Sequence, residues 1–165
     1  MTRFRITSAL LGALAIAGLT GCAGLAGDHS QHVPASAHGL IALKSPHGPD
    51  ATLTRLLEQL KRRNLNVAAR IDHGAAARGI GQMLRPTEVV IFGNPQAGTP
   101  LMQCAQTIGI DLPMKALVWV DARGQTWLGY NDPVWLVQRH GGGDCPAAAM
   151  IGDALAAGAA ATVAR

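Results

Sequence analysis

The chain has 165 residues, with 14 Lys and Arg against 10 Asp and Glu, a formal net charge of +4 and 48% hydrophobic residues. That length and apolar content suit one domain with a real core and exclude a disordered tail or a repeat array. The longest basic run, Lys61-Arg62-Arg63, has no interleaved aromatics, so the expectation is no nucleic-acid partner.

Arg3 and Arg5 precede an uncharged stretch, Ile6 to Leu19, that is mostly Ala, Leu, Ile and Gly and ends in Leu19-Thr20-Gly21-Cys22. Basic, then apolar, then small is the order of a secretory signal, and an apolar run this short falls below the roughly 18–20 residues that span a bilayer. Leu-Thr-Gly-Cys resembles the bacterial lipobox, whose cysteine is acylated. The expectation is a signal peptide over 1–21, a palmitate-bearing Cys22, and an exported chain anchored by lipid to a membrane facing the periplasm, the outer membrane if the host has one. Ala23 lacks the aspartate that resembles an inner-membrane retention signal. Without Arg3 and Arg5 the charge balance falls to twelve basic against ten acidic residues. Residues 22–37 are small and polar and read as a flexible tether.

Gly39 to Lys44 is a short apolar run, read as a first strand, and Pro46 to Pro49 breaks it. Asp50 is read as the cap of a helix whose Leu53, Leu56, Leu57 and Leu60 recur at i, i+3, i+4 and i+7. Asn66 to Ile71 is read as a second strand, Gly74 to Met83 as an Ala-rich helix and Thr87 to Phe92 as a third strand. The following Phe92-Gly93-Asn94-Pro95-Gln96-Ala97-Gly98-Thr99-Pro100 comes near a phosphate-binding loop. It lacks the lysine that such a loop places on the terminal phosphates, and Pro100 removes a backbone N–H. Turn chemistry accounts for it instead, with Gly98 at positive φ, Thr99 as N-cap and Pro100 as the first helical residue. Leu101, Cys104, Ala105 and Ile108 then share a helical face.

Ala116 to Val120 and Gln125 to Tyr130 read as a hairpin joined through Asp121-Ala122-Arg123-Gly124. Asp132-Pro133 starts a short helix to Arg139, Gly141 to Gly143 breaks it, and Pro146 to Val163 is an alanine-rich helix. Five strands interleaved with helices, two of them in a hairpin, argue for an α+β fold rather than a fully parallel sheet.

Ile71-Asp72-His73, Phe92-Gly93-Asn94-Pro95, Gly98-Thr99-Pro100-Leu101-Met102, Leu112-Pro113-Met114-Lys115 and Tyr130-Asn131-Asp132-Pro133 occur in the order and spacing of a bacterial and archaeal family. In these motifs the chain resembles the domain of unknown function 302 family over residues 38–141, with 142–165 left as a C-terminal helix. The resemblance implies a single two-layer α+β domain, a largely antiparallel sheet of about five strands similar to a TATA-binding-protein-like fold, and a homodimer. It implies no established activity.

The polar motif residues at strand ends are Asp72, His73, Asn94, Lys115, Tyr130 and Asp132. Converging, they would form a polar ligand site or do acid–base work. Acting separately, they would be turn makers and caps. No nucleophile, base and orienter stand together, which favours binding over catalysis. Three readings follow: a binding module for a small ligand or an envelope protein, an enzyme using Asp72, His73 and Tyr130, or a structural lipoprotein acting through a dimer surface. No cofactor and no metal are expected, because Asp28, His29 and His32 in the tether fall short of a metal pattern. Cys104 and Cys145 are left as a disulfide pair or as two separate thiols. Trp119, Trp127 and Trp135 are read as core or interface residues.

Overall fold

Residues 38–165 are described in the computed structural model. The signal, Cys22, the tether and its Asp28, His29 and His32 lie outside the described residues. In chain order come β1 (Leu40–Lys44), α1 (Pro49–Arg62), β2 (Asn66–Asp72), α2 (His73–Gly79), β3 (Thr87–Gly93), α3 (Pro95–Cys104), a 3-10 turn (Gln106–Ile110), β4 (Met114–Val120), β5 (Thr126–Asn131), α4 (Pro133–Arg139) and α5 (Pro146–Val163).

The strands make one five-stranded sheet in the order β1-β5-β4-β3-β2, with every neighbouring pair antiparallel. Period-2 alternation sets its two faces. Met114, Ala116 and Val118 on β4 are buried, whereas Lys115, Leu117 and Trp119 between them are half-buried. The buried set joins Ile41, Val90, Phe92, Leu128 and Tyr130 under the helices. On α1, the leucine stripe places Leu53, Leu56 and Leu60 against that core. α1 and α5 pack on each other and on the central strands, and α3 and α4 pack against α5. Ile108 of the 3-10 turn is fully buried.

On the opposite face the indoles of Trp119 and Trp127 stack at 6.1 Å. Asp121 organises the β4–β5 turn. Its carboxylate accepts from the backbone N–H groups of Arg123 and Gln125 and from the Trp127 indole N–H at 3.1 Å. These bonds, the indole's first, hold its carboxyl below the ordinary aspartate range. Trp135 packs directly on Gly39, whose φ of 73° and missing Cβ make that approach possible.

α5 is 18 residues long and apolar enough, by length and composition, to cross a membrane. It lies instead across the helix layer, with Ala148, Ala159 and Thr162 buried. Its C-terminal carbonyls accept from the Arg55 guanidinium, at 2.7 Å to Thr162 and 2.9 Å to Ala164, and Ala164 also bonds the His47 ring. Cys104, ending α3, and Cys145, capping α5, are joined as a disulfide with a Cα separation of 6.0 Å.

Three helix starts differ from the sequence reading. α1 begins at Pro49 after Gly48, so Asp50 sits in the first turn rather than at the cap. α2 begins at His73 with Asp72 as its cap. α3 begins at Pro95, so Gly98, Thr99 and Pro100 lie inside a helix and Gly98 is not among the glycines at positive φ.

Candidate functional site

The six polar residues singled out from the motifs do not gather. β3 runs from Thr87 to Gly93, and its antiparallel neighbours put Asp72 at one end of the sheet and Gly93, Met114 and Asn131 at the other. β2 and β5 are separated by two intervening strands, three spacings or about 14 Å. Asp72 shares a row with Glu88, Val118 and Leu128, so Tyr130 is displaced further still, toward the opposite end. Asp72 and His73 therefore do not converge with Tyr130 and Asp132, and the single pocket expected from the six motif residues does not form.

Local backbone chemistry accounts for most of them. Asp72 caps α2 by accepting from the Ala75 N–H at 2.8 Å. Asn94 caps α3 through the Ala97 N–H at 2.8 Å, while its amide donates to the Asn64 carbonyl. Asp132 caps α4 through the Val134 N–H at 2.9 Å. Lys115 donates to the carbonyls of Asp111 and Pro113. His73 is exposed at the start of α2.

Tyr130 is different. It is buried on the helix-covered face, yet its hydroxyl has no hydrogen-bond partner among the described residues and lines a cavity. Burial, and then the negative charge of Asp132, push its pKa up to about 12, so near neutral pH it is a neutral donor.

That cavity lies between the sheet and the α1–α5 layer and has a volume of about 450 Å³. Leu56, Leu60, Phe92, Leu128, Ile151 and Leu155 are among its walls. Tyr130, Gln59 and Arg63 bring the polar side chains, and among the described residues no carboxylate lines it. A second cavity of about 400 Å³ is lined by motif residues, Gly93 to Pro95, Ala97 to Thr99, Met102 and Leu112 to Met114 among them. The two share Gly93, Ala97, Met114 and Ile151 as wall residues, so they lie side by side under α1, α3 and α5 and are called the trough together. Its volumes fall in the range of small-molecule sites, which are mostly apolar with few polar groups. The motifs thus mark part of the trough through their glycine, proline and aliphatic positions rather than through their charged ones.

A hydroxyl–imidazole–carboxylate chain also went unseen in the sequence. The His140 ring bonds Thr107 Oγ1 at 3.0 Å and Asp111 Oδ2 at 2.8 Å, and Arg139 reaches the same carboxylate at 3.4 Å. It lines neither part of the trough, and it ties the 3-10 segment to the end of α4. Because its members come from two segments far apart in sequence, the 3-10 turn with its C-cap and the end of α4, spacing alone does not reveal it.

The sequence model described as "Domain of unknown function DUF302" matches residues 41–158. The chain belongs to the DUF302 family. The match runs into α5, past the 38–141 span of the motifs, so the helix that covers the trough lies largely within the family domain. A solved structure, an uncharacterized conserved DUF302 protein from Bacillus stearothermophilus, superposes with a TM-score of 0.66 at 25% identity, covering 74% of this chain and 96% of that one. Among curated proteins, "Fluoride-specific ion channel FluC 1" of Brucella suis biovar 1 is 51% identical over 102 residues, which is 62% of this chain and 40% of that protein. The Brucella abortus biovar 1 protein of the same name matches equally, over 38% of its length. This DUF302 chain therefore spans well under half the length of those relatives, and the channel name describes the longer proteins.

Proposed function

We propose that this DUF302 domain is a non-enzymatic binding module that takes a small ligand with a largely apolar body in the trough under α1, α3 and α5. The observation that supports it is the trough itself: two adjoining spaces of about 450 Å³ and about 400 Å³ between sheet and helices, walled mostly by aliphatic side chains. A concave, largely apolar groove of this size with a few polar groups is the form that small-molecule sites take. Asp72, Asn94 and Asp132 are spent as helix caps, which leaves His73 and Tyr130 far apart and without a carboxylate partner between them. A ligand that prefers the native state raises its stability by mass action. Octanol titrated into the full chain is therefore expected to raise its melting temperature saturably. Ala154→Trp, which places a large ring at an exposed position on the trough's rim, should remove that rise. No shift in the unsubstituted chain would overturn the reading.

The lipobox-like Leu19 to Cys22 supports an envelope location for the module, on a lipid attached to Cys22. Cys22→Ser should then move the protein from the membrane fraction to the soluble one, and unchanged partitioning would sink that part of the proposal.

A second copy of the chain is the partner we propose. All seven residues of the edge strand β2 are exposed, Val67 and Ile71 included, and the connection to β3 exposes Ile80, Met83 and Leu84. An open strand edge beside apolar side chains is a pairing surface that proteins otherwise cover or charge. Sedimentation of the full chain should give a dimer that Met83→Asp weakens; a monomer at all concentrations would refute it.

A further inference from the structure

We infer that the trough selects an amphipathic anion, an apolar chain ending in a single carboxylate or phosphate head, and that Arg63 is the group that meets the head. The inference rests on the binding reading above and adds the ligand's charge. Leu56, Gln59 and Leu60 lie along one stripe of α1, Arg63 follows as its C-cap, and all four line the trough. The stripe is apolar at its centre and cationic at its end. Most arginines of the domain are engaged: Arg55 with the carbonyls ending α5, Arg70 with Glu88, Arg139 with Asp111. Arg63 has no ion pair or side-chain hydrogen bond among the described residues.

Its position is nevertheless built. The side chain lies across α5 at Gly158, where a Cβ would sit 3.2 Å from its Nε and 3.6 Å from its Cδ. The glycine leaves the space in which the guanidinium rests at the trough. Among the described residues no aspartate or glutamate lines the trough to neutralise it. A guanidinium presents a planar fork of donors that fits a carboxylate or phosphate in two-point fashion. The Gln59 amide and the un-ionised Tyr130 hydroxyl add donors without adding negative charge. An anionic head with an alkyl tail is complementary to both parts, whereas a neutral alkane leaves the cation unmatched and a small hydrophilic anion leaves the aliphatic walls unfilled.

Calorimetric titration of the full chain with octanoate, octyl phosphate, octanol and inorganic phosphate tests this. A charge-assisted contact contributes about 1.5–3 kcal/mol, so octanoate or octyl phosphate should bind roughly tenfold or more tighter than octanol. Arg63→Gln, a change at an exposed position that removes the charge, should erase that advantage, bringing the anions to the affinity octanol has for the same variant. Ala154→Trp should weaken all three octyl ligands together. The tighter of the two anionic amphiphiles identifies the head. Equal affinity for octanol and the anions, unchanged in Arg63→Gln, would overturn the inference while leaving the binding reading intact. Inorganic phosphate binding as tightly as octyl phosphate would overturn it as well, because the tail would then contribute nothing. No binding by any octyl ligand would overturn both.

Discussion

Asp72, Asn94 and Asp132 show how a polar residue beside a strand end is easily misread. Each accepts from a backbone N–H two or three residues on, and each opens a helix. A helix start leaves N–H groups without helical partners, and an Asx side chain is the cheapest remedy. Tyr130 has no such local duty. It is the chain's one tyrosine, so its ionisation can be followed without interference. The phenolate absorbance of the folded protein should rise near pH 12, against about pH 10 for the same chain in denaturant. The sign for stability follows from linkage. The folded-state pKa is raised, so between those two values the unfolded chain loses the proton first. The stabilising contribution of the neutral phenol is full below about pH 10 and fades as pH rises toward 12. A folded-state titration near pH 10 would mean that the hydroxyl is in contact with water rather than in the trough.

At the scale of elements, the parts with one dominant signal were legible. α4 carries one start signal, Asp132-Pro133, the leucine stripe marks the buried face of α1, and the Asp121 turn has a glycine at φ 79° where the sequence placed the hairpin's end. α3 offered two starts, Asn94-Pro95 and Thr99-Pro100, each a good cap followed by a good first residue. Asn94 prevails, and Pro100 is then carried inside the helix. The order of strands was not legible, because pairing partners are set by long-range packing, and with it went the separation of Asp72 from Tyr130. Nor was the trough, since Leu56, Ala97, Met114 and Leu155 are residue types that read as core wherever they stand. The α3 start can be tested directly. In a helix interior, away from positive φ, Gly98→Ala should stabilise by about 0.4–1 kcal/mol, and the added Cβ would meet Leu112 Cδ1 at an ordinary 3.7 Å. Asn94→Ala should cost about 0.5–2 kcal/mol. Urea unfolding measures both, and a destabilising Gly98→Ala would restore the loop with a left-handed glycine.

Across the whole molecule, α5 decides whether the trough exists, because it supplies the outer wall from Met150 to Ala159. It is held at both ends by different chemistry. Arg55 and His47 meet its final carbonyls, where a cation suits the helix dipole. At its start, the disulfide from Cys145 to Cys104 fastens it to the end of α3. Between these ends it packs on α1, yet much of it faces outward, so its burial alone is modest. The bridge spans a sequence separation of 41 residues, and closing such a loop restricts the unfolded chain. Replacing both cysteines with alanine is expected to cost about 2–4 kcal/mol, seen as a lower urea midpoint with a steeper slope, because the unfolded chain is no longer looped and exposes more surface. Reductant should lower the midpoint of the unsubstituted chain toward that of the variant and leave the variant unmoved. Cys104 lies on α3 and Cys145 at the start of the helix that walls the trough, so losing the bridge frees one wall from the other. Octanol affinity should therefore fall in the double variant under conditions where the rest of the domain is still folded, as judged by the stacked Trp119–Trp127 signal on the far face of the sheet. Unchanged midpoint and unchanged affinity would show that the packing of α5 on α1 suffices without the covalent tie.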